Sequence, residues 1–191
     1  MAGQYTEDIK FENQSFTGGL EKETFDNCTF INCDFSNAKV LSCTFTDCIF
    51  TNCNLAMTNF TQSTMDSVEF KHCKILGVKF NHCNDFIFSV NFDNCILDYG
   101  SFEKRKMSKT AFKDSSLKGV DFGHADLEQA KFINCDLSET IFYNTNIQKA
   151  DFTSAYNYII DLGQNRIKKA RFSKDGLTGL LRHFDIVIEE N

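Results

Sequence analysis

A large apolar residue returns at every fifth position through most of this 191-residue chain. The series runs from Phe25 through Phe30, Phe35, Val40, Phe45, Phe50, Leu55, Phe60, Met65, Phe70 and Ile75 to Phe80. After a shift of two residues it resumes at Phe92 and continues through Leu97, Phe102 and Met107 to Phe152. All twenty-five positions are apolar, and fifteen of the 21 phenylalanines occupy them. A companion series two residues earlier carries small side chains, including every one of the 9 cysteines. Its single misfit is Arg105.

A period of five suits neither ordinary element. On an α-helix each step of five turns the chain by about 500°, so no one face would be apolar. On a flat strand odd spacing would send successive rings to opposite faces. The chain must therefore bend at every repeat, so that each large residue points into one interior. Four bends close a square coil of about twenty residues, and stacked coils share a continuous core that a single coil lacks. The expected fold is an all-β solenoid, a quadrilateral β-helix with the small residues on its crowded inner wall.

These residues resemble the pentapeptide-repeat family. Clear copies of its motif are Cys33-Asp34-Phe35-Ser36-Asn37, Ala125-Asp126-Leu127-Glu128-Gln129 and Cys135-Asp136-Leu137-Ser138-Glu139. The match spans about residues 8–172 and implies a right-handed quadrilateral β-helix. A rod over 1–172, with a small loop near 84–90, and a capping or dimerisation tail over 173–191 are the expected units. The motif specifies the fold and says little about function.

The cysteines invite a metal or redox reading, which their spacing disfavours. Five-residue steps place neighbours on different sides of the square, unlike the short C-x₂-C grip of a zinc site. Cys33, Cys53 and Cys73 stack on one side with parallel directions, which suits packing better than a disulfide. His72 and His82 fall on opposite sides and outside. No phosphate-binding glycine loop, nucleophile elbow or H-E-x-x-H motif is present, so neither an enzyme nor a cofactor is expected. The first residues carry no basic stretch followed by an apolar one, and nine free thiols fit a reducing cytoplasm.

The net charge of −6 is unevenly placed. Residues 1–70 carry ten acidic and three basic side chains, whereas residues 71–191 are nearly balanced. Direct nucleic-acid binding wants clustered Lys and Arg and is not expected. A partner with a basic groove is permitted. Asp26, Asp47, Asp66 and Asp85 fall just outside one column of the square, and two readings of them stay open. They are solvated turn residues, which Asp favours, or a line of negative charge presented to a DNA-binding groove. The two-residue shift is placed in an outward bulge near Asp85–Ser89, with Ile87 inside and Phe86 and Phe88 exposed as contact candidates. Arg105 is expected to escape to the surface through a local distortion.

A stacked rod has two open ends to cover. Residues 173–184 read as a short helix with Ser173 as N-cap and Leu177, Leu180, Leu181 and Phe184 on one face. A strand-like end with Ile186 and Ile188 follows. So many apolar residues on so small an element predict a tail-to-tail homodimer through them. The stretch Ala155–Asp161, then Lys169-Ala-Arg-Phe-Ser173 and Gly179-Leu-Leu181, resembles the C-terminus of Qnr-type quinolone-resistance proteins. That resemblance implies a dimeric, DNA-mimicking rod that binds DNA gyrase and topoisomerase IV, although the longer loops of many Qnr proteins are missing. A structural or scaffolding repeat protein with another partner is the alternative.

Overall fold

In a computed structural model the described residues, 3–187 and 189, form a parallel β-solenoid of about 8 turns followed by a short helix. The quadrilateral β-helix expected from the period is the fold. All twenty-five positions of the large series are buried, and so are all twenty-five of the small series. Strands are two to eight residues long and pair in parallel with the strand one coil away: Thr24–Asp26 with Thr44–Thr46, and Thr29–Ile31 with Ile49–Thr51. Twenty-residue offsets keep Phe30 opposite Phe50 and Phe112 opposite Phe132.

One face of the interior is an unbroken aromatic ladder. Phe11, Phe30, Phe50, Phe70, Phe92, Phe112, Phe132, Phe152 and Phe172 stack in turn, with centroids 4.6–5.3 Å apart and planes within 19° of parallel. Rings of the adjacent face, such as Phe102 and Phe122, meet this ladder edge-on. Offset-stacked and edge-to-face contacts are the two favoured aromatic geometries, and the square section supplies both at once.

Three further positions of the repeat have local physical reasons. The residue two after most inward rings turns the corner in the left-handed region, as at Asn27, Asn32, Asn37, Asn52, Asn94, Asn134 and Asn144, where φ is 49–57°. Asn tolerates that region better than most residues. The Asp or Asn just before the ring holds the turn: Asp34 Oδ1 accepts from the Ser36 N–H at 2.9 Å, and Asp121, Asp126 and Asp136 repeat the contact. The small residue two before the ring donates to an interior carbonyl of the previous coil. Thr58 reaches Phe35 O at 2.8 Å, Thr145 reaches Phe122 O at 2.9 Å, and the Cys73 thiol reaches Phe50 O at 3.4 Å. These carbonyls face the core, so a small side chain with a donor satisfies them.

All nine cysteines are free and buried. Burial pushes the Cys48, Cys83 and Cys135 thiols up to about 12. His72 and His82 are exposed. Among the described residues no group of three or more His, Cys, Asp or Glu could hold a metal ion, and no helix is long and apolar enough to cross a membrane.

The tail differs from its expectation. Helix α1 covers Leu177–Leu181 only, continued by a 3₁₀ turn at Arg182–Phe184. Ser173 does cap the approach, its Oγ accepting the Gly176 N–H at 3.1 Å, but regular helix begins later. The described residues 185–187 and 189 form no strand. Helix α1 lies directly on the last coil, where Ile160 N–H donates to Gly179 O at 3.2 Å. A Cβ at residue 179 would overlap the Tyr158 carbonyl, so this close approach requires glycine.

Candidate protein-interaction surface

The acidic residues sit at the N-terminal end of one outer face. Asp26 ends the strand Thr24–Asp26, and the register places Thr46 and then Asp66 directly along the same column. Asp47 occupies the corner one residue further on, with φ 49°. The line is therefore a zigzag of three charges, with a threonine where a fourth would make it continuous. Asp26 and Asp66 are two coils apart, about 9.6 Å at sheet spacing, where repulsion in water is only about 0.4 kcal/mol. Asp26 accepts a hydrogen bond from Tyr5 Oη at 3.1 Å, and that contact raises the Tyr5 phenol to about 12. Further along this face the neighbouring column reads Lys106, Asp126, Asn146, Arg166, so its charge is mixed in sign. The acidic strip ends at the loop.

The loop lies where the shift predicts it, between a 3₁₀ turn at Phe80–His82 and the strand Phe88–Asp93. Two placements differ from expectation. Ile87 is not inside but 46% exposed, and Phe88 is not exposed but half-buried against the core. Phe88 lies opposite Met65 and meets Phe80 and Phe102 edge-on at 5.8 and 6.4 Å. The register explains the exchange: three extra residues enter before Phe88, and one is recovered by a bulge in the opposite strand before Val90. Phe86 is as expected, 96% exposed at the loop's tip, its N–H held by Asn84 Oδ1 at 2.9 Å.

Arg105 also differs. It does not escape to the surface; it is 3% exposed on the inner wall below the loop. Its guanidinium donates to the carbonyls of Asn84 (2.8 Å), Asn81 (2.9 Å) and Cys83. It also pairs with Asp85 at 3.0 Å and lies 5.3 Å from the Phe88 ring centroid. The inserted residues lift the loop's carbonyls out of the coil-to-coil ladder, and the planar guanidinium gathers them. Asp85 is thus the partner of a cation rather than a fourth member of the acidic line. Sequence reasoning missed this role; the signal was an arginine at a small-residue position one coil after an insertion.

The tail residues divide into two sets. Leu180 is buried and Leu181 half-buried against the rod, so they close its end. Leu177, Phe184 and Ile186 are 46–60% exposed, with Val187 beside them. Ile188 lies outside the described residues. Near the same end Tyr143, Tyr156 and Ile141 are half-exposed, a feature the periodicity does not reveal.

A family model described as the pentapeptide repeat region matches residues 23–85 and 86–172. No curated protein sequence matches. Among solved structures, a trypsin-treated form of QnrB1, a plasmid-mediated fluoroquinolone resistance protein, is 20% identical, with a TM-score of 0.63 over 97% of this chain and 100% of that one. A second trypsin-treated QnrB1 gives 21% identity and 0.64 over 98% and 100%. HetL, a pentapeptide repeat protein involved in heterocyst differentiation regulation in the cyanobacterium Nostoc, is 15% identical, with a TM-score of 0.71 over 91% and 90%. At these identities the likeness concerns the fold.

Proposed function

Because the chain belongs to the pentapeptide-repeat family, we propose that it works as a rigid, non-enzymatic protein-binding rod whose partner is a bacterial type II topoisomerase, engaged in place of DNA. The observation that carries this reading is the asymmetry of the surface. The N-terminal coils present Asp26, Asp47 and Asp66 on one face, and the exposed Phe86 stands at the loop where that acidic strip ends. Shape and charge attract a DNA-binding groove; the exposed ring supplies an apolar anchor. The likeness to QnrB1 over nearly the whole chain supports the choice of DNA gyrase or topoisomerase IV. Leu177, Phe184 and Ile186 form the proposed homodimer contact, joining two rods tail to tail.

The break at Thr46 and the mixed charge beyond the loop favour a second reading, a scaffold for another protein, as the likeness to HetL also allows. Purified gyrase, titrated with this protein and assayed for supercoiling with and without ciprofloxacin, separates the two. Inhibition of supercoiling or a shift in drug sensitivity is expected. No effect on either at saturating protein would leave the scaffold reading.

A further inference from the structure

The C-terminal end of the stack is closed by α1, whereas the first coil pairs on one side only. In the second coil the N–H groups of Thr24 and Thr29 donate back to Gln4 and Ile9 at 2.9 and 3.0 Å. The carbonyls of Asp26 and Ile31 accept from Asp8 and Asn13 at 3.0 and 2.9 Å. The register makes Tyr5 and Lys10 the equivalents of those donors, and Glu7 and Glu12 the equivalents of those acceptors. Their N–H and C=O groups point away from the stack and have no backbone partner among the described residues. Just inside, Phe11 and Phe16 are half-buried. Each stacks on a ring of the second coil, at 4.9 and 4.5 Å, and no ring among the described residues covers its other side.

We propose that this edge is a strand-addition site for an extended, basic segment of a second protein, independently of any topoisomerase binding. Strand addition needs free main-chain groups in a row with an apolar contact beneath them, and the straight run Lys10–Glu12, lying over Phe11 between the corners at Asp8 and Asn13, has both. Charge selects the occupant. Around the edge stand Glu7, Asp8, Glu12, Glu21 and Glu23, against Lys10 and Lys22 alone. Both lysines are already paired, with Glu12 at 2.9 Å and Glu21 at 3.2 Å, leaving three acids unmatched. A second copy docking by the same end would set these acids against themselves. Its other end offers no open edge, because Leu180 of α1 is buried on the last coil. The segment that fits carries Lys or Arg outward and Val or Ile inward toward Phe11.

A fluorescein-labelled nonapeptide of alternating Lys and Val, followed by fluorescence anisotropy on the full chain, tests this. We expect saturable 1:1 binding with slowed hydrogen exchange at the Lys10 amide. N-methylation of alternate peptide amides weakens binding about tenfold or more, since each lost main-chain bond is worth about 1 kcal/mol. Lys10→Pro, which deletes one outward donor at an edge where proline is tolerated, weakens the unmodified peptide comparably while the melting curve is kept. Binding indifferent to both changes would be charge adhesion alone and would overturn the proposal. So would absence of saturable binding, or self-association that Lys10→Pro abolishes.

Discussion

Replacing Arg105 by methionine keeps most of the side-chain volume and removes the cation, so it isolates what the guanidinium does. Three loop carbonyls, those of Asn81, Cys83 and Asn84, lose their donor. A hydrogen bond to a charged group is worth about 1.5–3 kcal/mol net. The loop is at the surface and its carbonyls can turn to water, so the lower figure applies, and the effects are not additive. Removing a buried cation also returns part of its desolvation cost. The balance is a loss of about 3 kcal/mol, and it is local, because the aromatic ladder on both sides of the loop is untouched. Hydrogen exchange of residues 83–90 should accelerate about a hundredfold while protection at Phe112 and Phe132 stays unchanged. Asp85→Asn gives the contrast. Its carboxylate is 92% exposed, so the change should cost under about 1 kcal/mol and barely alter exchange. Equal effects of the two substitutions, or an unchanged loop in Arg105→Met, would refute the carbonyl-gathering account.

Phe112→Ala should destabilise the rod by about 3–5 kcal/mol, because the ring is fully buried between Phe92 and Phe132; calorimetry reads it as a fall of roughly 10 °C. The thiols make the rod alkali-sensitive. A folded pKa raised from 9.0 to about 12 leaves stability intact below pH 9 and removes it progressively as pH rises from 9 to 12. At pH 10 each of Cys48, Cys83 and Cys135 should cost on the order of 1 kcal/mol, so melting scans from pH 8 to 11 should fall steeply, and less so in Cys48→Ser. A chromogenic disulfide reagent should find no reactive thiol in the native protein at pH 8 and all nine after denaturation. If the proposed tail-to-tail dimer forms, light scattering should read the unsubstituted protein as a dimer and Leu177→Asp with Phe184→Asp as a monomer with an unchanged melting curve, since neither side chain is buried in the single chain.

What the sequence revealed and what it concealed have separate physical causes. The inward rings and the small inner wall repeat without error, so burial at Phe25 or Phe152 follows from counting. The same counting places the insertion between Phe80 and Phe92 but cannot apportion it. Two residues gained overall arise as three gained before Phe88 and one recovered opposite it, because the bulge lies in the other strand. The choice of Phe88 over Ile87 as the inward residue then follows from neighbours twenty residues away, Phe80 and Phe102. Arg105 is a similar case. An isolated arginine on a packed wall reads as an error until the loop above it is seen to present three unpaired carbonyls. The tail was misjudged in length because Gly176 and Gly179, poor helix residues, are present for their close contact with Tyr158.

The charge distribution limits how far the rod can imitate DNA. Residues 1–70 make about three and a half coils, about 17 Å at sheet spacing. Their excess of seven acids amounts to one charge per roughly 2.4 Å, against one per about 1.7 Å of duplex. Beyond residue 70 the excess vanishes, so the excess of negative charge is confined to the first 70 of 191 residues and stops short of the loop that carries Phe86. Two substituted proteins of equal net charge test this. Changing Asp26, Asp47 and Asp66 to Asn should weaken gyrase binding several-fold and flatten its salt dependence. Changing Glu103, Glu128 and Glu139 to Gln should leave both nearly unchanged, because those acids stand among lysines, with Glu103 and Glu128 paired to Lys104 and Lys149. If the two triple variants bind alike, the acidic N-terminal segment has no special role, and contact through the loop and rod shape alone must account for binding.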